Sequence, residues 1–371
     1  MKKKVLMISH SSFGGGAEVV FNKTLQLLLK NNYDIFVILP KKEGWLYNEI
    51  INNQKIKKIF ILNIKKLSPK DGKKIFYKRI IFKNILKFLN IFKIVNKNKI
   101  DILYVNTIIN FPMVILGVIL KKRVIWHLHE EYNKYENWIN NSLDNIITFF
   151  YKKIEVIYIS KKMKDNWEQR FGKPFDSYVI YNPIKELKYK NSEIINKELS
   201  IGFVGAFSKM KNIFMLIEVL QKLQKKYNFN IKMCGKNIPK ELNSFIKEKK
   251  IIIDRLELFD HIELSNFYKE ISILVLPSFN ESWGLVALEG MQNGIIPIVT
   301  DQSAIKELFN DKNSVFYFNP WNKEELYKKI EEVINLKDDE KRRIIENNIE
   351  LLKKYKFNEN YERRILDVFN K

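Results

Sequence analysis

Pro277-Ser278-Phe279-Asn280-Glu281-Ser282-Trp283-Gly284-Leu285-Val286-Ala287-Leu288-Glu289-Gly290-Met291 is the stretch on which the reading of the fold turns. Ahead of it, Ile271 to Leu276 reads as a strand buried on both faces. Behind it, Gly294 closes a helix and Ile296 to Thr300 reads as another strand. Strand, loop, helix and strand in succession form a crossover unit, which lays both strands parallel in one sheet. Gly284 opens the helix, whose first amides are free for an anionic ligand. The loop presents Glu281, and Glu289 lies about a turn and a half into the helix. A carboxylate accepts paired hydrogen bonds from a vicinal diol such as a ribose, and a second one near the helix mouth can grip a sugar hydroxyl. Two glutamates at this spacing are commonplace by composition. Their strand, loop and helix setting makes them a candidate pair.

Outward from this unit the same alternation recurs. Ile201 to Val204, Ile231 to Cys234 and the helical Asn212 to Tyr227 precede it. In the first half, Val5 to Ser9, Ile35 to Leu39, Ile102 to Asn106 and Val124 to His127 read as strands, with a helix over Ala17 to Lys30. Most of these are continuous apolar runs, the mark of parallel strands covered on both faces. The fold class is therefore α/β, with two doubly wound Rossmann-like domains and helices at the C-terminal end. The expected boundaries are an N-terminal domain over 1–181, a polar connection over 182–199, a C-terminal domain over 200–355 and a terminal helix over 356–371 that packs back on the first domain. In such sheets ligands sit beyond the carboxyl ends of the strands, so a substrate cleft between the domains is expected.

The length of 371 residues suits two domains, and 46% hydrophobic with 13% aromatic residues is ample core material, which argues against disorder. The single cysteine, Cys234, excludes an intramolecular disulfide framework and a cysteine-built zinc site, and points to a reducing compartment. The apolar run Val5 to Ile8 is too short for a signal peptide, and Phe111 to Leu120 is too short to cross a bilayer. A cytoplasmic protein is expected.

Three further junctions could carry chemistry. Gly14-Gly15-Gly16-Ala17-Glu18 lies between the first strand and first helix, where glycines let a phosphate approach the helix terminus. No glycine follows at the sixth position of a dinucleotide fingerprint, and a plain tight turn explains the run equally well. Trp126-His127-Leu128-His129-Glu130-Glu131 ends a strand. Its two histidines point the same way, yet no third metal ligand stands at a sensible spacing. A histidine there either hydrogen-bonds a substrate or caps the strand edge. In Val204-Gly205-Ala206-Phe207-Ser208-Lys209-Met210-Lys211-Asn212, Gly205 permits close approach and Lys211 could neutralise a diphosphate, the alternative being a solvated lysine.

Taken in order, G-G-G-A-E, H-L-H-E, Y-N-P, V-G-A-F-S-K-M-K-N, the Glu281 and Glu289 pair around Gly284-Leu285, and Gly294-Ile295-Ile296-Pro297-Ile298-Val299 resemble the family 4 (group 1) glycosyltransferases of the GT-B fold. The resemblance covers essentially the whole chain. It implies transfer of a sugar from a nucleotide diphosphate donor, a UDP-sugar for preference, with retention at the anomeric carbon. It implies no metal and no cofactor, with the donor mostly on the C-terminal domain and a saccharide or lipid-linked acceptor mostly on the N-terminal one. Carried onto this chain, it makes Glu289 the ribose-binding carboxylate, Glu281 the contact to the donor sugar and Lys211 the contact to the phosphates. Amides around Gly284 and Leu285 meet the diphosphate or sugar, Gly205 and Lys209 belong to the donor site, and Gly15 and Gly16 close over the phosphates from the other domain. His129 matches the family position near the reacting centre, whereas His127 does not. Two departures stand out. Ala206 replaces the usual arginine, so one phosphate contact is missing or comes from Lys209, and Ser303-Ala304 replaces a glycine pair before Glu307.

Breaking a glycosyl phosphate bond builds negative charge on the leaving diphosphate, so aligned N–H dipoles and a lysine there should dominate catalysis. With no evident carboxylate nucleophile, same-face attack is the natural route, the leaving phosphate taking the acceptor proton. No D-x-D triplet occurs, which argues against a metal-dependent fold.

The net charge of +23 is unevenly placed, since Lys55 to Lys99 holds fifteen basic residues and one acid, Asp71. Ile81, Ile85, Phe88, Phe92 and Val95 trace an apolar stripe there, flanked by Lys74, Lys78, Arg79, Lys83 and Lys87. Three readings compete: lysines merely solvated on a packed helix, lysines facing an anionic membrane on the inner face, or a basic nucleic-acid-binding protein without enzymatic activity. The last leaves the glycine loops and the glutamates unexplained, and cleft carboxylates repel a phosphate backbone, so no nucleic-acid partner is expected. Surface polysaccharide or lipid-linked glycan assembly is the pathway that the resemblance and the basic surface suggest.

Overall fold

The computed structural model describes residues 2–63, 76–131, 141–184, 198–236, 238–258, 264–310 and 314–371, and only the backbone of 76–86, 141–143, 236, 257–258 and 265. Lys74 and most of the expected connection lie outside the described residues, as do the side chains of Lys78, Arg79 and Lys83. The chain divides into two compact units, one of Met1–Asn182 with Tyr361–Lys371, the other of Pro183–Asn360.

In the first unit, seven parallel strands run β1 (Lys4–Ile8), β2 (Asp34–Leu39), β3 (Lys58–Ile61), β4 (Ile102–Asn106), β5 (Arg123–Leu128), β6 (Glu155–Tyr158) and β7 (Asp176–Val179). Their spatial order is β3-β2-β1-β4-β5-β6-β7. The helices between them are α1 (Gly16–Lys30), α2 (Trp45–Ile51), α3 (Phe76–Asn98), α4 (Phe111–Ile119), α5 (Asn141–Tyr151) and α6 (Lys161–Phe171). Val5, Met7, Ile35, Val37, Tyr104 and Ile125 are buried against Val20, Phe21, Leu25 and Leu28 of α1. Parallel strands need such cover because neither face can stay wet.

The second unit repeats the design with β8 (Ser200–Ala206), β9 (Asn230–Lys236), β10 (Arg255–Leu258), β11 (Ile273–Leu276), β12 (Ile296–Thr300) and β13 (Phe316–Phe318), all parallel, in the order β10-β9-β8-β11-β12-β13. Its helices are α7 (Ile213–Gln224), α8 (Lys240–Lys249), α9 (Leu264–Lys269), α10 (Leu285–Gln292), α11 (Lys323–Ile334) and α12 (Asp338–Tyr355). A last helix, α13 (Phe357–Asn370), leaves the second unit and from Tyr361 belongs to the first. Both units are doubly wound, as the continuous apolar runs predict. The strand order reverses between β1 and β4 and again between β8 and β11, and loops at such a switch point part to leave room for a ligand.

Two local readings are corrected. The stripe expected on α3 includes Phe92, which is 45% exposed, whereas Ile91 and Val95 are buried. That helix is apolar at 88, 89, 91, 92, 94 and 95, so its periodicity does not single out one inward face. Gly284 does not begin α10 but caps it at φ 99°, and the helix starts at Leu285.

Candidate active site

The second unit gathers its candidates at the switch point. At the carboxyl end of β8, Gly205 is half-buried and Ala206 is exposed. Phe207 turns inward, and Lys209–Lys211 forms a single 3-10 turn. Lys209 is exposed, but Lys211 reaches across to the loop after β11 and donates from Nζ to Glu281 Oε2 at 2.6 Å. Ser278 Oγ donates to the same oxygen at 3.2 Å. Phe279 N donates to Met210 O at 3.0 Å, which ties the two loops together. Lys211 and Glu281, read separately from the sequence, are thus one ion pair, with side chains 31% and 19% exposed.

The backbone around Glu281 is pinned by the Ser303-Ala304 departure. Ala304 N donates to Glu281 O at 3.1 Å. Ser303 pairs with Glu281 as an isolated bridge, and its hydroxyl caps the turn Ala304–Glu307. A Cβ on Gly284 would meet that hydroxyl at 3.1 Å and would sit at a positive φ that L side chains rarely adopt. On α10, Glu289 faces the buried Tyr268 of α9, whose hydroxyl donates to Oε2 at 2.8 Å. Burial, reinforced by that carboxylate, pushes the Tyr268 phenol well above its usual value, so it stays protonated and donates.

In the first unit, Gly15 caps α1 without a side-chain bond. A Cβ at Gly15 would lie 2.5 Å from Glu18 Oε2, so the carboxylate of this first-turn glutamate folds back over the glycine loop. Glu18 is buried and pairs with His10 Nδ1 at 3.3 Å. At the carboxyl end of β5, the rings of His127 and His129 lie 4.3 Å apart. His127 is fully buried with Nδ1 2.5 Å from Tyr104 Oη, and burial brings its pKa down to about 3. His129 is half-buried, with Nε2 2.8 Å from Asn106 Oδ1. Burial, with His127 and His10 nearby, holds its imidazole well below the usual value and therefore neutral. Glu130 Oε2 accepts from Ile108 N at 3.1 Å and His129 N at 3.4 Å, and burial pushes its carboxyl up to about 7.

His129, Gly15 and Gly16 accordingly lie in the first unit, and Gly205, Lys209, Lys211, Glu281, Gly284, Leu285 and Glu289 in the second. Sequence reasoning gave no role to His10, Asn106, Tyr104 or Tyr268. The only signal for Asn106 was its place at the carboxyl end of a central strand. Tyr268 sits on a six-residue helix with no signal at all.

Two family models match in succession, that described as Glycosyltransferase Family 4 over residues 14–186 and that described as Glycosyl transferases group 1 over residues 185–351. An uncharacterized glycosyltransferase of Haemophilus influenzae is 28% identical over 352 residues, covering 90% of this chain and 91% of that one. The capsular polysaccharide biosynthesis glycosyltransferase CapH of Staphylococcus aureus is 26% identical over 198 residues, covering 50% and 53%. Among solved structures, Anabaena Alr3699/HepE in complex with UDP and glucose superimposes with a TM-score of 0.78 at 16% identity, over 100% of both chains.

Proposed function

The chain belongs to the group 1, family 4 glycosyltransferases of the GT-B fold, and from that premise we propose that it moves a sugar from a nucleotide diphosphate donor to a growing glycan with retention of anomeric configuration. The observation that carries the reading is the Lys211–Glu281 pair at the β8/β11 switch point, with Glu289 held on the adjoining helix. A diphosphate arriving at this point competes with Glu281 for the Lys211 ammonium, and the carboxylate is released toward the sugar hydroxyls. Glu289 takes the ribose diol, and the first amides of α10 face the charge that grows on the leaving group. The leaving phosphate accepts the acceptor's proton on the same face. Lys211 and the amides supply the positive charge, so the reaction is proposed to need neither metal nor cofactor. UDP is the proposed carrier, a choice supported by the UDP and glucose held by the Anabaena neighbour. A saccharide or lipid-linked acceptor in polysaccharide assembly is supported by the likeness to CapH.

Calorimetric titration with a panel of UDP- and GDP-sugars tests the donor site. Glu289→Ala should weaken the binding of the donor that the wild type accepts by tenfold or more, and Lys211→Ala should lower turnover. Unchanged donor affinity in Glu289→Ala overturns the assignment.

A membrane contact is proposed for α3. Leu89 and Phe92 are exposed on the helix that also carries Lys87, Lys93 and Lys97, and each basic residue near anionic lipid contributes about 1 kcal/mol. Among the described residues no helix is long and apolar enough to cross a membrane. Flotation with vesicles containing phosphatidylglycerol, but not with neutral vesicles, is the expected result, and equal behaviour with both removes this contact.

A further inference from the structure

Asn106 ends β4 directly opposite His127 in the register with β5, so its side chain leaves the sheet on the face shared by His127 and, two residues on, His129. It is fully buried and makes two side-chain hydrogen bonds. Its amide group lies 3.3 Å from the carbonyl oxygen of Ala17 in the first turn of α1. A carbonyl only accepts, so the NH2 must face Ala17 and the amide oxygen must face the other way. That oxygen stands 2.8 Å from Nε2 of His129, and because an amide oxygen also only accepts, Nε2 must carry the hydrogen. A neutral imidazole has a single N–H, so the proton on Nε2 leaves Nδ1 with a lone pair.

We infer that Asn106 is a positioning residue that fixes His129 as the Nε2–H tautomer, so that Nδ1 is presented as an acceptor for a hydroxyl of the sugar substrates. The inference rests on the reading of the site as one for sugar transfer. It assigns the histidine a definite polarity: His129 receives a hydrogen bond from a ligand O–H, and its own proton is spent on Asn106. The buried amide, anchored to α1 at one end, also holds the ring plane against rotation. Behind metal-bound histidines, loss of the partner that orients the ring typically costs ten- to hundredfold, and Asn106 stands in the same relation to the His129 ring.

The test is nitrogen-15 NMR of histidine-labelled full-length protein, in which the two ring nitrogens of a neutral imidazole have well-separated shifts. The chain has four histidines, so the His129 signal is assigned as the one lost in His129→Gln. The wild type should show a protonated Nε2 and a bare Nδ1 at His129. A protonated Nδ1, or an even mixture, overturns the inference without the use of any donor, and so independently of the proposed function. In Asn106→Ala the tautomers should mix, whereas in Asn106→Asp the carboxylate should raise the pH at which His129 titrates. An unaltered His129 signal in both overturns it as well. With the donor selected by calorimetry, Asn106→Ala should lower kcat about tenfold or more while KM for the donor changes less than threefold. A wild-type kcat in that variant overturns the positioning role.

Discussion

Tyr268 shows how one buried hydroxyl can set the affinity of a site that it does not touch. Its O–H donates to Glu289 Oε2 at 2.8 Å and so helps to orient the carboxylate that is proposed to take the ribose diol. Tyr268→Phe keeps the ring and its packing and removes only this bond. A hydrogen bond to a charged group contributes roughly 1.5 to 3 kcal/mol, so donor affinity should fall at least tenfold by calorimetry. The loss should vanish in a Glu289→Ala background, and two independent losses that simply add would show that the hydroxyl acts elsewhere. Glu130 carries a prediction of a different sign. Its folded pKa of about 7 lies above the ordinary carboxylate value, so between about pH 5 and 7 the folded chain holds a proton that the unfolded chain has released. Stability therefore declines as pH rises through that window. Glu130→Gln keeps the acceptor for Ile108 N and cannot ionise, so urea unfolding should find it more stable than wild type at pH 8 by on the order of 2 kcal/mol, and little different at pH 5. Equal pH profiles for the two proteins would refute the burial of that carboxyl.

At the scale of the element, the first turn of α10 is joined to the Glu281 loop through one glycine. Gly284 at φ 99° lets the chain leave the Glu281 loop and enter the helix, and Ser303 packs against it from the turn after β12. Gly284→Ala forces a side chain into a left-handed conformation and into that hydroxyl, at a cost of about 1 to 3 kcal/mol. Thermal melts by circular dichroism should show the drop, and an unchanged melting temperature would mean that the turn relaxes freely. Elements such as β1, β4 and β12 were legible to within a residue because unbroken apolar runs have one reading. The edge strands β3 and β7 were not, since they are four residues long, half-buried or wetter, and carry polar side chains. The site divides the same way. Lys211 and Glu281 declare themselves by lying at strand-to-helix junctions, and Glu289 by its place on the helix that follows. Asn106 and Tyr268 meet their partners 23 and 21 residues away, across strands or helices, and no local pattern encodes a contact at that separation.

Across the whole molecule, the chain crosses from the second unit back to the first at its end, and the first unit depends on that return. Tyr361, Ile365, Val368 and Phe369 of α13 are all 1% exposed or less, within the core that α1, β1, β4 and β5 build. Tyr361 Oη lies 2.5 Å from Thr24 Oγ1, Tyr33 donates to Asn370 Oδ1 at 2.7 Å, and Lys3 donates to Phe369 O and Asn370 O at 3.0 Å. Arg123, paired with Glu155, also donates to Val368 O and Phe369 O, so a cation closes the carboxyl end of the helix where its dipole is negative. Burying four such side chains contributes about 1.5 to 3 kcal/mol each, which together rivals the 5 to 15 kcal/mol that hold a typical domain folded. Removal of Tyr361–Lys371 should therefore unfold the first unit and spare the second. Differential scanning calorimetry of the 1–360 chain should show one transition lost or moved far down in temperature while the other stays in place, and donor titration should still detect the contacts of Glu289. If both transitions survive at their original temperatures, the terminal helix is dispensable and the first unit is stable on its own core. If both disappear, the two units fold as one cooperative system and the division at Asn360 has no energetic meaning.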